Sequence, residues 1–330
     1  MTTLYVQEQG AHVRKKDNQI IVTKDGQTLE DVPLAKLEQV VLMGRGVQMS
    51  TALLVALIER GVPVTLTNQH GNRHDATLTD GPSRFGELRT RQMFLVTTPA
   101  SALLLARQVI AATLHNQRAL LSRTGWASAP AAMAQIEQAL AALEHATGIN
   151  SVRGYEGAAA AAYFGAWRAA LPSAWGFGGR AFYPPPDPIN AALSFGYTLA
   201  LHDVLAAVQM TGLDPYLGTF HVPEPGRPSL ALDLLEEFRP LVVDRLVLEL
   251  VQTNTLDGRH FARPAERPTA MYLTQAGRTL VIDRYEALLH SRVRLPNGDH
   301  TSLRRVILLQ VQQVARIIRG EQEQYVGFRG

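Results

Sequence analysis

The sequence predicts an α+β protein, with a small N-terminal mostly-β domain followed by a larger all-α C-terminal domain. Three observations carry this expectation. The first eighty residues alternate short β-branched and aromatic runs with Gly- and Asn/Asp-containing turns. After GPSRFGELR, roughly residues 81–90, the chain changes to long alanine- and leucine-rich segments of helical period. A chain of 330 residues is long enough to build two cores. The expected division is 1–85 for the β domain, 86–96 for a linker and 97–330 for the helical domain.

In order along the chain, TLYVQE, HVRKK, QIIVT and EQVVLM read as strands separated by QG, KDN and KDG turns. STALLVALIER, about Ser50 to Arg60, reads as a helix stopped by Gly61. PVTLTN and DATLTD, joined through HGNRH, read as a hairpin. Helices are then expected near 99–123, 130–146, 150–170, 188–211, 229–253 and 301–319. Pro240 lies inside the fifth of these and should kink it, because proline removes a backbone donor and clashes with the preceding turn. AMYLTQAGRTLVID is expected to form a short β hairpin.

Composition narrows the chemistry. Cysteine is absent, which excludes disulfides and thiolate metal sites. No apolar run reaches eighteen residues and the N-terminus has no signal-peptide pattern, so no membrane span and a cytoplasmic location are expected. The net charge of +3 says little until it is mapped. Residues 259–330 hold twelve arginines and no lysine against six acids, whereas all four lysines (Lys15, Lys16, Lys24, Lys36) lie near the N-terminus. Arginine's planar fork holds phosphate bidentately, so this basic end raises the expectation of a nucleic-acid substrate.

The densest chemical signal is His221–Pro240, HVPEPGRPSLALDLLEEFRP. His221 ends an apolar run and precedes a Pro/Gly loop, a place that delivers a side chain to a cleft. Asp233, Glu236 and Glu237 follow at helical spacing, so the three carboxylates can converge on one face. Like charges at the edge of a core call for a cation among them, and imidazole with carboxylates suits a hard divalent ion. Arg239 is placed to pair with a neighbour. Glu156 is the only acid of a helix whose early face is almost all Gly and Ala, GYEGAAAAAYFGAW, where a ligand or a second helix can approach closely. In the loop from Trp175 to Ser194, a triple proline fixes an extended backbone, and Arg180 and Asn190 are candidates to orient a phosphate or a bound water. His12, His70, His74 and His300 read as surface residues, and His202 as a helix-face residue. GFGGRAF lacks the strand and the Lys-Ser/Thr pair of a P-loop, and no GxSxG is present, so nucleotide-cradling and serine-hydrolase chemistry are unsupported.

Four motifs in order, GYEGAAAAAYF, PPPDPINAALSFGYTL, GLDPYLGTFH and RPSLALDLLEEFRPLVVDR, resemble those of the CRISPR-associated adaptation endonuclease/integrase family, Cas1. The likeness covers nearly the whole chain. It departs at Phe182 and Tyr183, where the family often carries arginines. The resemblance implies a metal site made by Glu156, His221 and Glu236 with Asp233 close by, holding Mg²⁺ or Mn²⁺, and leaves Glu237 as a solvated neighbour. It further implies a homodimer joined largely through the β domains, assembly with the small partner Cas2, and action on double-stranded DNA, branched or with 3′ overhangs. In such a protein a DNA 3′-hydroxyl would attack a phosphodiester of the CRISPR repeat, with water in its place giving cleavage. Arg180, Asn190, Arg239 and Arg259 are the expected DNA contacts. The competing expectation is a catalytically silent, arginine-rich scaffold that binds nucleic acid.

Overall fold

A computed structural model describes residues 2–71, 74–78, 85–181, 184–222 and 224–330. The centre of the HGNRH turn, the GPSR segment and the pair Phe182–Tyr183 lie outside the described residues. By its internal contacts the chain divides into residues 1–84 and 85–330.

The first unit runs β1 (Thr2–Val6), β2 (His12–Lys16), β3 (Gln19–Lys24), β4 (Gln27–Pro33), β5 (Leu37–Met43), β6 (Gln48–Met49), α1 (Thr51–Glu59), β7 (Val64–Thr67) and β8 (His74–Leu78). These strands make two four-stranded sheets, β1-β5-β7-β8 and β4-β3-β2-β6. In the first, β1, β5 and β7 are parallel and β8 closes the sheet antiparallel to β7. The near-continuous apolar run of β5 matches a central parallel strand covered on both faces. The Ser50 hydroxyl accepts from the Leu53 N–H and starts α1. Leu53 and Leu57 of α1 join Leu4, Val13, Ile20 and Val40 in one core shared by both sheets. Each such leucine stabilises the unit by about 1.5–3 kcal/mol. Strand β4 was not among the expected strands: QTLEDVP carries two adjacent acids, is mostly exposed, and pairs as an edge strand with no apolar alternation to betray it.

The second unit runs α2 (Gly86–Thr97), α3 (Pro99–Ser122), α4 (Ala129–Glu144), α5 (Ile149–Ala170), α6 (Pro188–Thr211), α7 (Ser229–Phe238), a π-helical stretch Arg239–Asp244, and α8 (Arg245–Gln252). It continues with β9 (Phe261–Ala262), β10 (Tyr272–Leu273), α9 (Gln275–His290), β11 (Arg292–Arg294), β12 (His300–Ser302) and α10 (Leu303–Arg319). Helix α6 is central, packing against α7 and α10, while α3 packs on α4, α5 and α7. Asp187 caps α6 by accepting from the Asn190 N–H at 2.8 Å, Pro188 opens it, and Gly212 at φ +85° closes it. By length and composition α6 is apolar enough to cross a bilayer, but 78% of the relevant window is buried inside the unit, the burial of a core helix.

Three expectations are corrected here. The segment 86–96 is not a linker but most of α2, which packs on α3 and α10. Only Leu88 and Gln92 of α2 are buried, too few to print a helical period on the sequence. The hairpin expected over AMYLTQAGRTLVID reduces to the two residues of β10, because the Thr274 hydroxyl accepts from the Gly277 N–H and starts α9. Pro240 does not give a simple kink: the helix passes into i→i+5 hydrogen bonding over Arg239–Asp244 and then resumes as α8.

Candidate active site

A cavity of about 500 Å³ opens in the helical unit, with Glu156, Phe164 and Arg168 of α5, Arg180 of the proline loop, Tyr197 of α6, and Glu236, Arg239 and Asp244 among its lining residues. Its α5 wall is the small-residue stripe Gly157, Ala160, Ala161 and Gly165, spaced to share one helix face. The stripe marked in the sequence as permitting close approach therefore lines the cavity beside Glu156.

Asp233 organises the rim. Its Oδ2 accepts from the backbone N–H groups of Thr219 (2.6 Å) and Phe220 (2.9 Å). Its Oδ1 accepts from the His221 N–H and from His221 Nδ1, both at 2.8 Å. A carboxylate only accepts, so Nδ1 is the donor to Asp233 and Nε2 is the nitrogen left to face another partner. That nitrogen lies 3.6 Å from Glu236 Oε1. Such a carboxylate–histidine pair fixes both the tautomer and the ring orientation of a metal-binding imidazole. Asp233 thus acts on the site through His221 and the loop.

The loop is threaded tightly over α7. A Cβ on Gly218 would stand 2.5 Å from the Ser229 carbonyl carbon and 2.8 Å from Asp233 Oδ2. Gly218→Ala is accordingly expected to destabilise the protein by about 1–3 kcal/mol. It should also loosen His221, read as a broadened imidazole resonance in NMR spectra.

Arg153, one turn before Glu156 on α5, donates through Nε (3.1 Å) and Nη2 (2.5 Å) to the Phe220 carbonyl and lies over the Phe220 ring. It ties the helix of Glu156 to the loop of His221. Burial, then the nearby Glu236 carboxylate, pushes Glu156 up to about pH 7, against the opposing pull of Arg239 and His221. The two acids therefore face one space, and Glu236 disfavours the charge of Glu156. Glu236 is 6% exposed, and its Oε1 accepts from Arg239 Nη1 at 2.9 Å. Among the described residues no three His, Asp or Glu side chains stand already gathered as a ligand set. Glu236 is neutralised by a guanidinium instead.

Beneath this, Tyr197 donates to Asp244 Oδ1 (2.6 Å) and Tyr163 to Oδ2 (2.9 Å). Burial raises the Asp244 carboxyl to about 6, and the two phenol bonds offset part of that rise. Arg239 and Arg180 both lie over the Tyr197 ring, at 5.0 and 5.3 Å from its centroid.

The remaining expected site residues divide. Arg180 lines the cavity and is braced by Asn190 Oδ1 (2.9 Å) and Ser194 Oγ (3.3 Å). Asn190 itself is fully buried, its amide bonded to Gly179, Asp187, Ala181 and Arg180, so it reaches the cavity only through Arg180. Arg259 is 87% exposed, paired with Asp257 at 2.8 Å, and is not among the cavity-lining residues. Glu237 is corrected outright: it is 0% exposed, not solvated, and accepts from Tyr325 OH (2.6 Å), the Phe328 N–H (2.8 Å) and Gln310 Nε2 (3.0 Å). His202 is likewise buried on α6. Arg153, Tyr163, Tyr197 and Asp244 were not foreseen.

Acids and guanidinium groups thus line one cavity, with an oriented imidazole beside Glu236. The model of the family described as CRISPR associated protein Cas1 matches residues 4–287. A CRISPR-associated endonuclease Cas1 of Thermus thermophilus is 35% identical over 319 residues, covering 96% of each chain. This chain belongs to the Cas1 family. Two solved structures share the fold. A casposase bound to integration product has a TM-score of 0.86 and 20% identity, covering 100% of this chain and 95% of that one. A Cas6–reverse transcriptase–Cas1–Cas2 complex has a TM-score of 0.84 and 22% identity, covering 99% of this chain and 36% of that one.

Proposed function

We propose that the chain is a metal-dependent DNA endonuclease and integrase of CRISPR spacer acquisition, joining DNA 3′ ends to the CRISPR repeat by transesterification. The observation that carries this reading is that Glu156 and Glu236, beside the oriented His221, face one cavity flanked by Arg180 and Arg239. The donor set fits a hard divalent cation: two carboxylates that repel each other in a half-buried space and an imidazole whose free nitrogen faces one of them. Glu156, Glu236 and His221 Nε2 would hold Mg²⁺ or Mn²⁺, which would polarise the phosphodiester and stabilise its leaving oxygen.

The chain's own groups do the rest. Asp233 holds the proton on His221 Nδ1, keeping Nε2 a donor of electrons. Arg180 grips backbone phosphate in the same cavity, anchored through Asn190 to the capped start of α6. Arg259 would add a peripheral phosphate contact on exchanging Asp257 for DNA. The casposase and the Cas1–Cas2 assembly that share the fold support a DNA substrate and a Cas2 partner. A homodimer through the β unit follows the family resemblance.

Purified protein is expected to nick branched duplex DNA, and to join a 3′-hydroxyl end to a repeat-bearing duplex, with Mg²⁺ or Mn²⁺ and not with excess EDTA. Undiminished processing in EDTA would overturn the metal site.

A further inference from the structure

Arg239 holds a position that the proposed reaction does not explain. It pairs with Glu236 through Oε1, the same oxygen that faces His221 Nε2 at 3.6 Å. In this geometry a cation set between His221 Nε2 and Glu236 meets first the oxygen that the guanidinium engages. Arg239 is also held on its far side. It lies over the Tyr197 ring, whose hydroxyl is fixed by Asp244, itself five residues beyond Arg239. Residues five apart fall near one face only in i→i+5 bonding, and the stretch Arg239–Asp244 is π-helical. The register change at Pro240 therefore builds the platform that keeps the guanidinium at the mouth of the acid pair.

On that platform Arg239 has a like-charged neighbour. Arg180 lies over the same ring and lines the same cavity. Arg239 disfavours the Arg180 charge, while Glu236 supports the charge of Arg239. The Arg239 Nε–H is buried without an acceptor among the described residues. A cation at Glu236 takes that support away and leaves two forks beside each other with donors to fill, the demand that a phosphodiester meets.

We propose that Arg239 is a cation-exchanged gate: it competes with the divalent ion for Glu236 and, once displaced, grips the DNA phosphate together with Arg180. The inference rests on the metal reading above and adds to it a coupling between its two ligands. By linkage, metal that frees Arg239 tightens DNA binding, and DNA that captures Arg239 tightens metal binding by the same factor.

The test is a calorimetric Mn²⁺ titration of the full chain, alone and with a blunt, unbranched duplex whose ends are 3′-deoxy, which offers neither a branch to nick nor a 3′-hydroxyl to join. Wild type is expected to bind Mn²⁺ about tenfold more tightly with the duplex present. Arg239→Gln should bind Mn²⁺ about tenfold more tightly than wild type without DNA, with the enhancement by DNA cut several-fold. Arg239→Lys, which restores a competing charge, should return DNA-free Mn²⁺ affinity towards wild type. Wild-type Mn²⁺ affinity and undiminished coupling in Arg239→Gln would overturn the gate and leave the metal site standing. Equal, tight Mn²⁺ binding by the Lys and Gln variants would also overturn it, since charge would then not be the competitor. No Mn²⁺ uptake by wild type would remove the metal reading and the gate with it. Should Arg239→Gln fail to fold, wild type decides: Mn²⁺ affinity unmoved by the duplex overturns the gate.

Discussion

Glu156→Ala and His221→Ala are each expected to lower metal-dependent nicking and strand joining on the order of 10²–10³-fold, the usual scale for removing one group that acts on transition-state charge. Without metal, binding of the same branched DNA, read by fluorescence anisotropy, should stay within about threefold, because the arginines proposed to hold backbone phosphate are changed in neither variant. The fold should survive both. Burial and Glu236 already disfavour the Glu156 carboxylate, so removing it relieves repulsion. After His221→Ala, Asp233 still accepts from the backbone N–H groups of 219, 220 and 221, so the loop keeps its tether. A lost activity with an unchanged melting curve therefore reports chemistry. If both variants still process DNA with metal at wild-type rates, the assigned site is wrong and the silent arginine-rich scaffold takes its place.

What could be read in the sequence was what is local. His221 and Asp233 lie twelve residues apart, and Asp233 and Glu236 one helical turn apart, so their meeting needed only one loop and one helix. The long helices of the second unit announced themselves by period because each buries a broad face. The rest depended on partners that are remote in sequence. Arg153 matters only because the Phe220 carbonyl, 67 residues away, comes to meet it. Tyr163, Tyr197 and Asp244 carry no motif, and their convergence requires the π register after Pro240, which no α-helical spacing predicts. Strand β4 and helix α2 bury too little to impose a pattern, and α9, capped by Thr274, carries a strand-like stretch TLVI within it. Glu237 was misjudged for a similar reason. A helical wheel places it beside Glu236 and says nothing of the chain segment, some ninety residues later, that covers it.

That segment sets the second large expected effect: Glu237→Ala should destabilise the protein by about 3–5 kcal/mol. The carboxylate is the shared acceptor for Tyr325 OH, Gln310 Nε2 and the Phe328 N–H, and all three donors are buried. Gln310 retains the Tyr325 oxygen and the Val326 carbonyl, but the Phe328 N–H and the Tyr325 hydroxyl lose their acceptor. Each buried donor left unmade costs about 1–3 kcal/mol, and the vacated side-chain volume adds a cavity term. The loss should spread outward, since Asn116 bridges the Glu237 and Phe328 carbonyls and Gly327 is packed too closely against Ala112 to admit a side chain. Glu237→Gln separates the bonds from the charge. Its remaining oxygen can keep Gln310 and Phe328, while its amide N–H can donate to a Tyr325 hydroxyl turned to accept, so a loss near 1 kcal/mol is expected. Burial favours a neutral group here, pushing the Glu237 carboxyl up to about 7, which is why the amide is tolerated. Urea unfolding at constant m-value measures both changes. An alanine variant within 1 kcal/mol of wild type would mean that the segment 325–328 does not hold α7, and with it Glu236, in place.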